Sequence, residues 1–154
     1  MKKEYVLGFA FSRDKNHVVL IEKQRPDWQK GCFNGVGGKI ELQDKKPVYA
    51  MIREFKEETG VETNITHWGQ CFATMMFETD IMGGTAIVHC FRMKSDKIFE
   101  CQTIEDEKIH ILSIKCPSWL GYDCLESKPC LKNLMVLIPM ALDEDFIGCK
   151  LNIL

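Results

Sequence analysis

The chain has 154 residues, enough for one domain with a substantial core and too few for two independent ones. It is 45% hydrophobic and 27% charged, and its net charge of -2 gives no general attraction to DNA, RNA or an anionic membrane, so a charged ligand must be held by a local site. No stretch approaches the roughly 18 apolar residues of a membrane-spanning helix, and the eight cysteines are scattered without a CxxC pair, as expected of reduced thiols in a cytoplasmic protein.

Residues 5–11 are apolar and aromatic-rich and residues 17–22 are rich in β-branched side chains. With the turn-forming segment 12–16 between them, they predict a strand, a hairpin and a second strand. Residues 24–38 contain Pro26 and four glycines, which predicts a loop with unusual backbone angles and backbone free to approach a ligand. Pro47 suits a first helical turn and Gly60 a C-terminal cap, so a helix is expected over Pro47–Thr59. Strands follow at 68–78 and 85–94 around a hairpin turn at 80–84, and the alternating segment 108–115 is a further strand. A last helix is expected over 131–142, kinked or frayed by Pro139. The elements do not alternate strictly, which predicts a single α+β domain over 1–154, a layered α/β/α sandwich rather than a doubly wound fold.

At about 100° per residue, Val48, Ile52 and Phe55 form the core-facing stripe of the first helix, while Glu54, Glu57 and Glu58 share one arc, with small Ala50 in the turn before. Like charges at this spacing cost roughly 0.2–0.5 kcal/mol in an isolated helix. Either the arc is a solvated acidic face, or a cation compensates it. Hard oxygen ligands suit Mg²⁺ or Mn²⁺, and the glycine loop ending just before the helix provides backbone for a metal-bound diphosphate. Gly38-Lys39 is not followed by Ser or Thr, so this is not a P-loop.

The stretch Gly37-Gly38-Lys39-Ile40-Glu41 through Arg53-Glu54-Phe55-Lys56-Glu57-Glu58-Thr59-Gly60-Val61 resembles the Nudix box, a Gly followed by a Glu and then by R-E-U-x-E-E-x-G-U. The second half matches completely. In the first half the expected Glu is Asp44, and eight residues rather than seven separate it from Arg53, so the brace between this acid and the arginine is expected to be weakened. The resemblance implies a Nudix fold, with a mixed central sheet flanked by the Nudix helix and a C-terminal helix. It implies that Arg53, Glu54, Glu57 and Glu58 are catalytic. Glu54, Glu57, Glu58 and the Gly37 carbonyl would hold Mg²⁺, with Mn²⁺ as the alternative, and Lys39 would face the phosphates as in MutT-like members. Such members often add an acid from a later loop, for which Glu105 is chosen over Asp106 and Glu107.

The segment from Trp28 to Gly38 is similar to the W-N-G-x-G-G entry of oxidised-purine triphosphatases, with Phe33 in place of the tryptophan and Asn34 at the position that contacts the base. Phe33 otherwise packs under the sheet. Aligning Pro139 with the proline of their last helix puts Asn133 and Leu134 where those enzymes carry an acidic pair, so Asn133 is a candidate base contact. At most one of the adjacent Met75 and Met76 can line a pocket, and the four histidines show no metal-ligand spacing. The expected function is hydrolysis of a nucleoside triphosphate, such as the oxidised purine 8-oxo-dGTP, to the monophosphate and pyrophosphate. Cleavage of ADP-ribose or another nucleoside diphosphate derivative is the enzymatic alternative, and a non-catalytic nucleotide sensor the alternative of another class. The expected partner is a small nucleotide, with no nucleic-acid polymer or membrane, and the chain is expected to be a monomer or homodimer.

Overall fold

The computed structural model describes residues 2–79, 84–114 and 133–153. Strands β1 (Lys2–Phe11) and β2 (His17–Glu22) form a hairpin whose tip is tied by Ser12 Oγ donating to the Asp14 carboxylate at 2.6 Å. Short strands β3 (Phe33–Asn34) and β4 (Val36–Lys39) precede helix α1 (Pro47–Thr59) and the four-residue helix α2 (Ile65–Trp68). Strands β5 (Ala73–Thr79), β6 (Gly84–Lys94) and β7 (Lys108–Ser113), helix α3 (Leu134–Leu142) and strand β8 (Cys149–Ile153) complete the described order. The strands make one mixed sheet in the order β3-β2-β1-β6-β5-β8, with β4 also paired to β1 and β7 to β2. The β1–β6 and β5–β8 pairs are parallel, and β1 and β6 stay in register from Lys2 opposite Thr85 to Phe11 opposite Lys94.

Both faces of the sheet are buried, as the two-residue period of β1 shows. Leu7, Phe9 and Phe11 point into a core completed by Leu134, Leu137 and Ile138 of α3, whereas Val6 and Ala10 point into one completed by Met51 and Phe55 of α1. At about 1.5–3 kcal/mol per fully buried large apolar side chain, these two layers are the main favourable term in the fold. The result is the α/β/α layering expected of an α+β chain. Gly8 sits under α1, where a Cβ would collide with the Met51 side chain, so its lack of a side chain lets the helix lie close to the sheet.

Several local expectations are corrected. The segment 24–38 is not wholly irregular. Its end forms β3 and β4, and of its four glycines only Gly31 has a positive φ, 82°. Gly37 instead serves close approach, because a Cβ there would strike the Val6 backbone carbonyl. The deepest stripe of α1 is Ala50, Met51, Phe55 and Thr59, with Val48 and Ile52 at its margins. That rotation turns Glu58 inward. Trp68 is helical rather than extended, because Asn64 and His67 cap α2 reciprocally and the indole N–H donates to Thr63 Oγ at 2.7 Å. Strand β8 was not expected. It pairs with β5, a partner more than 70 positions away, so no local signal marks it. The expected turn at 80–83, the strand end at 115 and the helix start at 131–132 lie outside the described residues. The five described cysteines, Cys32, Cys71, Cys90, Cys101 and Cys149, are free thiols.

Candidate functional site

Helix α1 begins with Pro47 and ends on Gly60, whose φ of 77° lets its N–H return to the Lys56 carbonyl at 2.8 Å. Between these ends Arg53 organises the acids. Its Nε and Nη2 donate to the two Asp44 oxygens, each at 2.9 Å, and Nη2 also donates to the Lys39 carbonyl at 3.0 Å. Its Nη1 donates to Glu54 at 2.9 Å and Glu57 at 3.1 Å. The expected weakening of the Asp44 brace is therefore overturned: the bond is bidentate, and Asp44 is buried with its carboxyl held below its usual range by Arg53. The extra residue is taken up at Lys45, whose φ of 57° and ψ of -38° fold the chain into a three-residue turn closed by Lys46 N–H on the Asp44 carbonyl.

Gly38 lies against the Glu54 carboxylate so closely that a Cβ would displace it. Burial pushes the Glu54 carboxyl up, with Arg53 pulling it back and Glu57 and Glu105 pushing it further. Glu58 is 7% exposed, and its carboxyl is pushed up to about 7 by burial, then by the charges of Glu105, Glu107 and Glu54. Glu58 Oε2 is buried with no hydrogen-bond partner among the described residues. An orphaned carboxylate oxygen facing other carboxylates is a group left short of a cation, and the hard-oxygen donor set fits a divalent one. No three His, Cys, Asp or Glu side chains among the described residues enclose an ion by themselves.

Of the three acids considered in the later loop, Glu105 and Glu107 lie close enough for their charges to push the Glu58 carboxyl up. Glu107 is committed elsewhere, accepting from Lys23 Nζ at 3.1 Å and from the Gln24 N–H at 2.8 Å. Glu105 is exposed and makes no such bond among the described residues.

A cavity of about 970 Å³ opens next to Gly38, which lies against Glu54. Its floor includes Gly37 and Gly38, and its walls include Tyr5, Leu7, Met75, Phe77 and Val88, with Asn34 and Asn133 both on its lining. Two asparagines 99 positions apart are thus brought to one space. Asn34 Oδ1 accepts the Gly35 N–H at 2.9 Å, which leaves its amide NH₂ as donor, while Asn133 Oδ1 is buried without a partner among the described residues. Met75 lines the cavity and Met76 does not. Phe33 is buried in the core, edge-on to His110 with ring centroids 5.0 Å apart, and is not on the cavity wall. The Lys39 side chain is exposed and also off the wall, while its carbonyl serves Arg53. Lys23, Trp28 and Tyr5 line the cavity without having been singled out. Lys23 meets Glu107 across 84 positions, a pairing with no local signature.

The profile of the NUDIX domain family matches residues 1–129. A methanol dehydrogenase activator from Bacillus methanolicus is 28% identical over 111 residues, covering 71% of this chain and 57% of that protein, so the match spans little more than half of the relative's length. Among solved structures, the NUDIX domain of Shewanella oneidensis NrtR, complexed with ADP ribose, superposes with a TM-score of 0.68 at 18% identity over 92% of this chain and 87% of that one. A MutT NUDIX hydrolase from Burkholderia pseudomallei gives 0.64 at 18% identity over 91% and 98%. At such identities these structures establish a shared fold. With the fold, the half-box on α1 and a family profile spanning most of its length all in agreement, the chain belongs to the NUDIX domain family.

Proposed function

We propose that the protein is a divalent-metal-dependent hydrolase of a nucleoside diphosphate linkage, and that its substrate is a purine nucleoside triphosphate cleaved to the monophosphate and pyrophosphate. The observation that carries this reading is the continuity of the cavity. It runs from Asn34 and Asn133 to Gly37 and Gly38, and Gly38 touches the Glu54 carboxylate. A base held by the asparagines would therefore leave its phosphates in the space that borders Gly38 and, behind it, Glu54.

Glu54 and Glu58 would hold Mg²⁺, with Glu57, Glu105 and the Gly37 carbonyl as further oxygens. When bound, the ion supplies charge neutralisation for the diphosphate and acidifies the attacking water. The chain's own groups do the rest. Arg53 fixes Glu54 and Glu57 while Asp44 fixes Arg53, so the carboxylates are set before substrate arrives. A carboxylate of the α1 set takes the proton from water as its oxygen attacks phosphorus and the bridging P–O bond breaks. Lys39 follows Gly38, and its exposed ammonium would meet the leaving phosphates. At the other end, one amide donor from Asn34 and one amide acceptor from Asn133 match a purine edge carrying a carbonyl beside an N–H.

A second reading, cleavage of ADP-ribose, is favoured by the volume of the cavity, about 970 Å³, at the upper end of small-molecule sites. The two are separated by measuring kcat/KM and products for dGTP, 8-oxo-dGTP, dATP and ADP-ribose with Mg²⁺. Pyrophosphate as the main product supports the triphosphatase. A sugar phosphate from ADP-ribose alone supports the second reading, and binding without turnover, even with Mn²⁺, supports a sensor and defeats both.

A further inference from the structure

Trp28 is 74% exposed although it forms part of the wall of the cavity that holds Asn34 and Asn133. Single exposed apolar side chains are ordinary. Trp28 differs from exposed Leu42 or Phe99 in two respects. It stands on the cavity lining between Pro26 and Gln29, whereas they stand off it. Its loop is also pinned at the base: Lys23 N–H donates to the Cys32 carbonyl and Gly31 N–H to the Lys23 carbonyl, both at 2.8 Å, and Gly31 uses its φ of 82° to close that return. Inside the loop Gln29 N–H reaches the Pro26 carbonyl and Cys32 N–H the Gln29 carbonyl, both at 2.8 Å. Glu107 clamps the entry through the Gln24 N–H and Lys23 Nζ. The indole is therefore presented by a closed, hydrogen-bonded loop rather than left on a loose one.

The wall has a division of labour that the asparagines leave incomplete. Amides recognise the edge of a base, and a flat heterocycle also needs its face covered. Tyr5 and Phe77, the other aromatics of the wall, are partly buried against the core, so Trp28 is the described aromatic with its ring free to take up such a face. We propose that the Trp28 indole stacks on the base of the bound nucleotide and sets a preference for purines over pyrimidines, the two-ring base overlapping the indole more fully. This rests on the cavity being a nucleotide site, as inferred above.

The test compares wild type, Trp28→Ala and Trp28→Phe on dGTP, dCTP and the base-free 2-deoxyribose 5-triphosphate, with Mg²⁺. Trp28→Ala is expected to raise KM for dGTP by about tenfold or more, in line with the loss of one base–aromatic stack, and to raise it less for dCTP. The base-free compound should be unaffected, and Trp28→Phe should recover most of the dGTP loss. An equal effect on dGTP and the base-free compound would mean that the loop is merely structural and overturns the proposal, as does no effect on dGTP. If the wild type hydrolyses none of these, the hydrolase reading fails separately and stacking is read from binding. Calorimetry and tryptophan emission are then followed as dGTP is added without metal. Quenching in the wild type that is lost in Trp28→Phe while dGTP still binds supports the stack; equal quenching in both, or no binding to the wild type, overturns it.

Discussion

Glu58, proposed as a metal ligand, weighs on the stability of the metal-free chain. Its carboxyl titrates near 7 in the folded chain and near 4.5 when unfolded, so between those values the folded state keeps a proton that the unfolded state has lost. The stabilisation is complete below about 4.5, declines as pH rises, and is gone above about 7; at about 1.4 kcal/mol per unit it amounts to about 3 kcal/mol. Glu54 shifts in the same direction and adds to the slope. Asp44 shifts the opposite way, but its window lies below the ordinary aspartate range and does not cancel this one. The metal-free protein should therefore melt at progressively lower temperature from pH 4.5 to 7, and millimolar Mg²⁺ at pH 8 should restore part of the loss. Glu58→Gln should raise the melting temperature of the metal-free protein at pH 8 by several degrees, since 1 kcal/mol is worth about 2–4 °C in a chain of this size, while abolishing turnover. A metal-free melting temperature that rises across this window would contradict the account of Glu58.

At the scale of elements, the junction between β4 and α1 concentrates the constraints. Gly38→Ala would push aside the far end of the Glu54 side chain rather than any backbone, so the fold should survive while kcat falls by roughly 10²-fold or more, a cost typical of a misplaced catalytic group. Asp44→Ala removes both oxygens that hold Arg53 and should cost about 3 kcal/mol in denaturant unfolding, the scale of breaking a buried pair. Lys45→Gly should do the reverse, stabilising by about 0.5–1 kcal/mol, because a lysine at φ 57° pays a left-handed penalty that glycine avoids. Unchanged stability in Lys45→Gly would mean that the turn is unstrained. Much of this junction was legible in the sequence: Pro47, Gly60 and the acidic arc located α1 and its acidic face. Its rotation was not, because Val48 and Ile52 satisfy a helical period as well as Ala50 and Met51 do. Which pair sits deeper is decided by Gly8 and Trp68, distant in sequence. The survival of the Asp44 brace was likewise unreadable, since a one-residue insertion leaves no trace of where it is absorbed.

For the whole molecule, strand periodicity and the order of elements were enough for an α+β sandwich, whereas β8 and the parallel β1–β6 pairing arise from long-range contacts that no window of sequence contains. The cavity belongs to the same category, with walls drawn from β1, β5, β6, the loop bearing Trp28 and the start of α3. Asn34 and Asn133 were each recognisable alone; their meeting was not. Likewise Phe33, where a motif offered a base contact, is a core residue because its strand faces α3. On the proposed reading, the acids of α1 drive metal-dependent cleavage of a nucleoside diphosphate linkage placed by this cavity. It is tested most directly by a ³¹P NMR time course of dGTP and ADP-ribose, with and without Mg²⁺, in wild type and Glu54→Gln. The predicted result is conversion of at least one of them, with dGTP giving pyrophosphate and dGMP, in the wild type with Mg²⁺; without metal conversion should be absent, and Glu54→Gln should slow it by roughly 10²–10⁴-fold. Spectra that stay unchanged with Mg²⁺ or Mn²⁺, or a Glu54→Gln rate equal to wild type, would contradict it.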